Sequence, residues 1–540
     1  MTGIWGMERV VREERRQWIW ARCVLSVAQL GSLCWIVMLT SFEHGFPLDD
    51  AWIHQVVGRT FAETGVLGYT PDRFASAATS LLWAAVVAMN HAWFELEPAV
   101  FAFTINAALL MATGQVWLTM LERDGASVGV ALGCTLLGTT ASNFVWFAAS
   151  GMESTLLVFL STLVVWLWTE RGRHPSRRAW CAGIALGLLF FTRPEAVALL
   201  GVLALVFPWT GRTWRDFLRM ATPCFVAVLA YAAAMWRATG HARPSTLEGR
   251  HVMWFQDLPA ASRLELVQRM LTFWGDRLAE HTLALSSSRL LFWLFLGLAL
   301  GGAYVVLRHQ WLRFGGVVLW GFAHLAIYAM LLPTPGHGGR YQPLTPALFM
   351  GLAWVGAWAL ASSLRARAPS LLRREVIAAF ALAMAIPTGR SLSACSRAHR
   401  DAVMHIWDTE VAMGRVVSAL PEEALVASFD IGGIGYFAGR ELVDLGALVD
   451  ASIVGALRES SVWPELSSRG VQYVVVPEGF GHGFPDPWNF YWRLGFHKAS
   501  SFRLAPLERL ASTERSWKSG VEASLHGAPV QVLYRVEEAR

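Results

Sequence analysis

The stretch "FEHGFPLDDAWIH" (42–54) places two adjacent carboxylates, Asp49 and Asp50, directly after the first long apolar run. A carboxylate activates a hydroxyl nucleophile by taking its proton. Two neighbours can divide the work, one acting as base and the other orienting the acceptor or a cation, and their mutual repulsion raises one pKa. Taken alone, the pair is as readily a solvated cap on the helix "DDAWIHQVVGR". Further polar segments shift that balance. "SGMEST" carries Glu153, "TRPEA" carries Arg193 and Glu195, "GHARPSTLEGR" (240–250) carries His241, Arg243, Glu248 and Arg250, and "PGHGGRYQPLTP" (335–346) carries His337, Arg340 and Tyr341. Guanidinium forks bind phosphate oxygens bidentately. Carboxylate base plus arginines is the equipment for substitution at a sugar carbon bonded to phosphate. Any one of these arginines is equally well a snorkelling side chain, and Glu153 or Glu195 equally well a packed ion pair.

These groups must be positioned by membrane elements. Of 540 residues, 54% are hydrophobic and 16% charged, where a soluble domain carries about 25% charge. Apolar runs of spanning length recur at 18–40, 99–121, 126–148, 152–169, 180–192, 195–208, 217–238, 289–307, 314–332, 346–362 and 374–388, so the chain reads as a polytopic α-helical membrane protein of about eleven spans. The net charge of +5 is mostly arginine, lysine occurring only at Lys498 and Lys518. It sits in short loops and not in a groove-sized patch, which excludes nucleic-acid binding. The six cysteines show no CxxC pair and no metal spacing.

Basic loops mark the cytoplasmic side. "RGRHPSRR" (171–178), "GRTWRDFLR" (211–219), "LRHQWLR" (307–313) and "LRARAPSLLRR" (364–374) share that side when the N-terminus is cytoplasmic and the first run is an uncleaved span. The opposite side then receives 41–98, 149–151, 239–288, 333–345 and everything after 388. The candidate segments fall there, with Arg193 and Glu195 at a break between two short apolar runs. The apolar but short stretch 79–94 is open between crossing, re-entry and an interfacial position. The chain thus divides into a transmembrane catalytic domain, 1–388, with outer loops 41–98 and 239–288, and an outer α/β domain, 389–540. In the latter, "ALVASFD" (424–430) and "VQYVVVP" (471–477) read as buried strands. The segment 431–450 reads as a helix, a Gly turn and a short strand. Its "GGIG" is no phosphate loop, because neither GxGxxG nor a P-loop is present.

Taken in order, these segments resemble the GT-C class of integral-membrane glycosyltransferases, nearest to the actinobacterial arabinofuranosyltransferase-like bacterial subgroup. Asp49-Asp50-Ala51-Trp52-Ile53 matches a DDAYI-type motif and Thr79-Ser80-Leu81-Leu82-Trp83 a TNPLW-type motif. Gly151-Met152-Glu153-Ser154 matches GLET or GMET, and Arg193-Pro194-Glu195 matches RPE. Pro244-Ser245-Thr246 with Arg250 stands for PNTxxxK, and Arg340-Tyr341-Gln342-Pro343 through Pro346 for RYLLPxxP. The segment "FDIGGIGYFAGRELVDLGALVD" resembles the subgroup's extracytoplasmic domain. There are departures: the residues after the first motif are "HQVVGR", leaving Arg59 as the nearest cation, and the Asn-Pro and the lysine of two motifs are lost.

The resemblance implies an inverting hexosyl- or pentosyltransferase of the bacterial inner membrane. It implies a polyprenyl-phosphate-linked sugar as donor and an envelope glycan, lipid or protein as acceptor. It places Asp49 or Asp50 as base and Arg193, Arg250 and Arg340 around the donor phosphate. Arg59, Glu153, Glu195, His337 and Tyr341 are expected to support the substrates. No cofactor is required, or a divalent cation (Mg2+ or Mn2+) sits at Asp49 and Asp50 through oxygen ligands. Two other readings compete. A flippase of a lipid-linked glycan would line a midplane path with charges and show inverted repeats, and neither is apparent. A membrane anchor carrying a binding module would place all activity in 389–540.

Overall fold

The structure, a computed structural model, describes residues 2–538 apart from 72–73, 75–79, 173, 240–259, 285–288, 332–335, 368–372, 451, 460, 479–493, 497–501 and 513–529. Nineteen helices are named here in chain order: α1 Thr2–Val37, α2 Asp49–Thr64, α3 Leu81–Met89, α4 Pro98–Arg123, α5 Val128–Thr139, α6 Ser142–Ala148, α7 Ser154–Thr169, α8 Pro175–Thr192, α9 Leu199–Thr210, α10 Trp214–Thr239, α11 Ala260–Asp276, α12 Arg289–Arg308, α13 Leu312–Leu331, α14 Leu344–Arg367, α15 Arg373–Ile406, α16 Ala412–Ser418, α17 Gly433–Ala438, α18 Ile453–Arg458 and α19 Trp463–Ser468.

Among the described residues, six helices are long and apolar enough to cross a membrane: Glu13–Val37, Pro98–Arg123, Trp214–Arg237, Leu290–Arg308, Leu312–Leu331 and Leu344–Leu364. The expected span at 126–148 is a bent pair, α5 and α6, meeting at 59°. Those at 152–169 and 195–208 are shorter apolar helices, as is Leu81–Phe94. The stretches 180–192 and 374–388 lie within α8 and α15. A helix much below about 20 residues does not cover a hydrocarbon core alone. The short helices therefore line breaks where polar residues gather.

The two ends of the helical body differ in chemistry. At one end, Arg313 bridges Asp124 (3.0 Å) and Glu170 (2.6 Å). There Arg212 donates to the carbonyls of Leu167, Trp168 and Glu170, tying down the C-terminus of α7. This is where the basic loops meet. The acidic and guanidinium groups at Asp50, Glu153, Arg193, Glu195 and Arg340 come together at the other end of α7 and α13.

The C-terminal region carries a five-stranded sheet: β1 Val426–Ser428, β2 Leu442–Asp444, β3 Tyr473–Glu478, β4 Phe502–Ala511 and β5 Val530–Glu538, in the order β2-β1-β3-β5-β4. β1 runs parallel to β2 and β3, and β5 runs antiparallel to β3 and β4. The strands read from 424–430 and 471–477 form the parallel centre, and α17 followed by β2 fills 431–450 as the sequence suggests. The junction differs from the sequence reading. α15 continues through Pro387 to Ile406, so the outer sheet is carried on a helix that starts in the transmembrane body.

Candidate active site

α2 begins at Asp49, with both carboxylates in its first turn and Gly65 ending it in the left-handed conformation. Acidic side chains at a helix N-terminus are favoured by the exposed amides there. Successive helical residues point about 100° apart, a consequence of 3.6 residues per turn, so the doublet divides. Asp49 turns with Ile53 toward the outer domain. Ile53 packs with Ile431, and the Asp49 carboxylate accepts the Gly432 amide (2.9 Å) and the Gly433 amide (2.6 Å). Asp50 turns with His54 toward the membrane body. Asp50 is salt-bridged to Arg340, and His54 Nε2 lies 3.4 Å from Glu153.

A chain of partners follows from there. Arg193 reaches Glu153 at 2.6 Å and Glu195 at 3.9 Å. Tyr328 donates its hydroxyl to Glu195. The Tyr341 ring stacks on Tyr328, 5.6 Å between centroids, with the Arg193 and Arg340 guanidiniums 4.7 and 5.2 Å from its centre. Ser154 donates to the Arg340 carbonyl at 3.4 Å. The segments flanking Glu153 are fixed in turn. Trp83 Nε1 donates to the Gly151 carbonyl (2.9 Å), and Asn106 to that of Met152 (3.2 Å). Ser80 caps α3 by accepting the Trp83 amide. Residues from 50, 83, 151–154, 193–195 and 340–341 thus form one connected unit.

The two arginines of this unit are not equivalent. Arg193, 4% exposed, is neutralised by Glu153, which is 1% exposed. Arg340 is equally buried and gives Nη2 to Asp50, and among the described residues its Nε and Nη1 have no hydrogen-bond partner. Buried donors without partners are rare. These two point to an acidic ligand.

Electrostatics separate the carboxylates further. Burial, then the charge of Asp430, pushes Asp49 from 3.8 to about 7 against the two amide bonds that favour its ionised form. Burial raises Asp430 to about 6, and Glu410 well above its ordinary value with Asp430 and Asp49 nearby. Since Asp49 meets main-chain amides and Asp50 meets a guanidinium, the doublet is not arranged as a cation cage. Among the described residues, no three His, Cys, Asp or Glu side chains gather as metal ligands.

Other expected residues lie elsewhere. Arg59 is on the outer-domain side of α2, donating to the Tyr436 carbonyl (3.3 Å) with its guanidinium 4.7 Å from that ring. Arg250, with His241, Arg243 and Glu248, lies outside the described residues. His337 sits in a short turn, His337–Gly339, and its side chain is likewise outside the described set. Sequence reasoning missed His54, Tyr328, Glu410 and Asp430. Only His54 carried a signal, its position four residues after Asp50 on the same helical face.

This arrangement of broken helices around a carboxylate–arginine unit, with a small sheet domain beside it, has counterparts among solved structures. Two solved proteins carry that likeness. Archaeoglobus fulgidus oligosaccharyltransferase, tethered with an acceptor peptide containing the NVT sequon, superposes with a TM-score of 0.53 at 11% identity, covering 96% of this chain and 88% of its own. ArnT from Cupriavidus metallidurans gives 0.52 at 13% identity in the apo state, covering 95% of this chain and 97% of its own. Bound to undecaprenyl phosphate it gives 0.52 at 12% identity, covering 96% and 97%. Residues 402–520 match the family model described as Domain of unknown function (DUF8728). No curated protein matches the sequence.

Proposed function

We propose that the chain is an inverting glycosyltransferase that moves a sugar from a polyprenyl-phosphate donor to a cell-envelope glycan, lipid or protein, on the outer face of a bacterial inner membrane. The observation that carries this reading is the Asp50–Arg340 pair beside Asp49. A buried guanidinium, two of whose nitrogens have no partner among the described residues, is paired with Asp50, and the preceding residue, Asp49, is a carboxylate raised to about 7. A base with a pKa near the working pH is the efficient one. The fold is also shared with ArnT solved with undecaprenyl phosphate and with an oligosaccharyltransferase solved with an acceptor peptide.

In this reading the two faces of α2 carry separate roles. Arg340 takes the donor phosphate at the Nη1 end of its guanidinium, with Asp50 holding its Nη2 in place. Arg193, bound to Glu153, supports Tyr341 and Arg340 from behind. Asp49, on the face toward the outer domain, accepts the proton of the acceptor hydroxyl. The acceptor oxygen forms its bond to the anomeric carbon as the bond from that carbon to the phosphate oxygen breaks. Configuration inverts in this single displacement, and polyprenyl phosphate leaves with the electron pair and its negative charge against Arg340. The basic loops at the opposite end of the bundle support an outward-facing site.

The test uses full-length protein in nanodiscs with labelled polyprenyl-phosphate pentoses and hexoses and envelope extract as acceptor. Turnover with at least one donor is expected, lost by orders of magnitude in Asp49→Asn. Full activity in that variant would remove the assignment of the base.

A further inference from the structure

The outer domain does more than sit above the site. Its segment 430–433 is built around the first-loop carboxylate. Gly432 has no room for a side chain: a Cβ there would lie 2.1 Å from the Asp49 carbonyl oxygen and 2.6 Å from its carboxylate. Tyr69, from the same outer loop, donates to the Ile431 carbonyl at 2.7 Å. Ile53, Val56, Val57, Tyr69, Ala84 and Ile431 close into one buried cluster across the junction. Among the described residues, the groups near Asp49 are mostly acidic. Asp50 is its neighbour on α2, Tyr69 comes from the outer loop, Glu410 from the turn after α15, and Asp430 from two residues past β1. Gln531 on β5 donates to Asp430, and Thr409 donates to Glu410, so both acids are held in place from behind.

We infer that the outer domain completes the active site: the Asp430–Gly433 segment seats the Asp49 carboxylate on two main-chain amides, with Asp430 as a positioning residue beside it. The inference rests on Asp49 being the base. The amides fix the direction of both carboxylate oxygens, each of which retains a second lone pair for an acceptor hydroxyl. The surrounding negative charge disfavours ionisation and so makes the ionised carboxylate a stronger base. A transferase built this way works only with its outer domain docked.

The test compares wild type, Asp430→Asn, Glu410→Gln, Gly432→Ala and Asp49→Asn as full chains in nanodiscs, with the same donor panel and envelope extract. In wild type, kcat/KM is expected to fall on the acid side through about pH 7. Asp430→Asn moves that limb down by about one unit, with KM for the donor unchanged, and Glu410→Gln leaves it in place. Gly432→Ala lowers kcat by about 100-fold, the usual consequence of misplacing a reacting group by an ångström. A limb that stays in place in Asp430→Asn overturns the inference while leaving the base assignment standing, provided Asp49→Asn is inactive. An active Asp49→Asn defeats the base assignment instead. Hydrogen exchange supplies a readout that needs no turnover. Asp49→Ala is expected to speed exchange several-fold at the Gly432 and Gly433 amides while β3 and β5 stay protected. Unchanged exchange at those amides shows that the seat does not exist.

Discussion

Arg193 and Glu153 meet at 2.6 Å with 4% and 1% of their side chains exposed. Such a pair is not by itself a stabilising device, because desolvation offsets much of its attraction. Its meaning lies in what it fixes. Glu153 joins His54 on α2 to the break between α8 and α9, and Arg193 lies against the face of Tyr341. Removing one partner leaves a buried charge uncompensated. Glu153→Gln should therefore destabilise the membrane body by roughly 3–5 kcal/mol. Thermal unfolding in detergent checks this, and an unshifted midpoint would show that Arg193 has another counter-ion.

Arg340 differs because its guanidinium is only half satisfied. Arg340→Lys keeps a positive charge near Asp50 but loses the planar fork. The expected result is a KM for the donor raised about tenfold or more, a loss of bidentate binding worth roughly 1.5–3 kcal/mol for a charge-assisted contact. Arg340→Ala should cost more, since it also leaves Asp50 unpaired. Steady-state titration of the donor separates the two. Equal KM values in Arg340→Lys and wild type would place the phosphate elsewhere.

The buried acids predict a dependence of stability on pH. Burial raises Asp430 and Asp444 from 3.8 to about 6 and Asp49, with the charge of Asp430, to about 7. Each binds its proton more tightly folded than unfolded. Their contribution is therefore full below about pH 3.8 and is lost as pH rises through 6 to 7. Asp450 runs the other way: hydrogen bonds from Arg469 and Ser452 outweigh its burial and hold it below its ordinary value. Its contribution is lost only as pH falls below that value. Between these limits the outer domain should unfold at a higher denaturant concentration at pH 5 than at pH 8, followed by intrinsic fluorescence. Catalysis, which needs Asp49 ionised, should show the opposite trend over the same interval.

Much of the membrane site is legible in the sequence because its chemistry is local. Asp50, Glu153, Arg193, Arg340 and Tyr341 each sit at a break between an apolar run and a polar turn, and a charge at such a break must find a partner. Their convergence follows from the alternation of short loops. The other half of the site is not legible. Asp430 lies two residues past a strand and Glu410 follows a helix, and nothing local marks either as a neighbour of Asp49 more than 350 residues earlier. That contact depends on how the outer sheet is carried by α15, which runs past the boundary that the apolar run suggests. Arg59 shows the same limit: its charge was legible, but its aromatic partner Tyr436 comes from the outer domain.

The turn before Glu153 offers a test that touches no charged group. Gly151 adopts φ +75°, in the left-handed region, and a Cβ there would stand 2.3 Å from the Phe46 ring. Its carbonyl accepts Trp83 Nε1 at 2.9 Å. Gly151→Ala therefore faces backbone strain and a steric clash together, each worth about 1–3 kcal/mol. The ring of Phe46 is wedged against Trp52, 5.0 Å between centroids, so it has little room to yield. The strain is relieved by moving the turn, which carries Glu153 away from Arg193 and His54. Activity should fall further than stability alone explains, with the donor KM raised because Tyr341 and Arg340 lose their support. A second substitution, Phe46→Ala, opens the space that the new methyl needs. If displacement of the turn is the cause, the double variant should recover donor KM toward that of Phe46→Ala alone. A double variant no better than Gly151→Ala would assign the defect to the left-handed backbone itself.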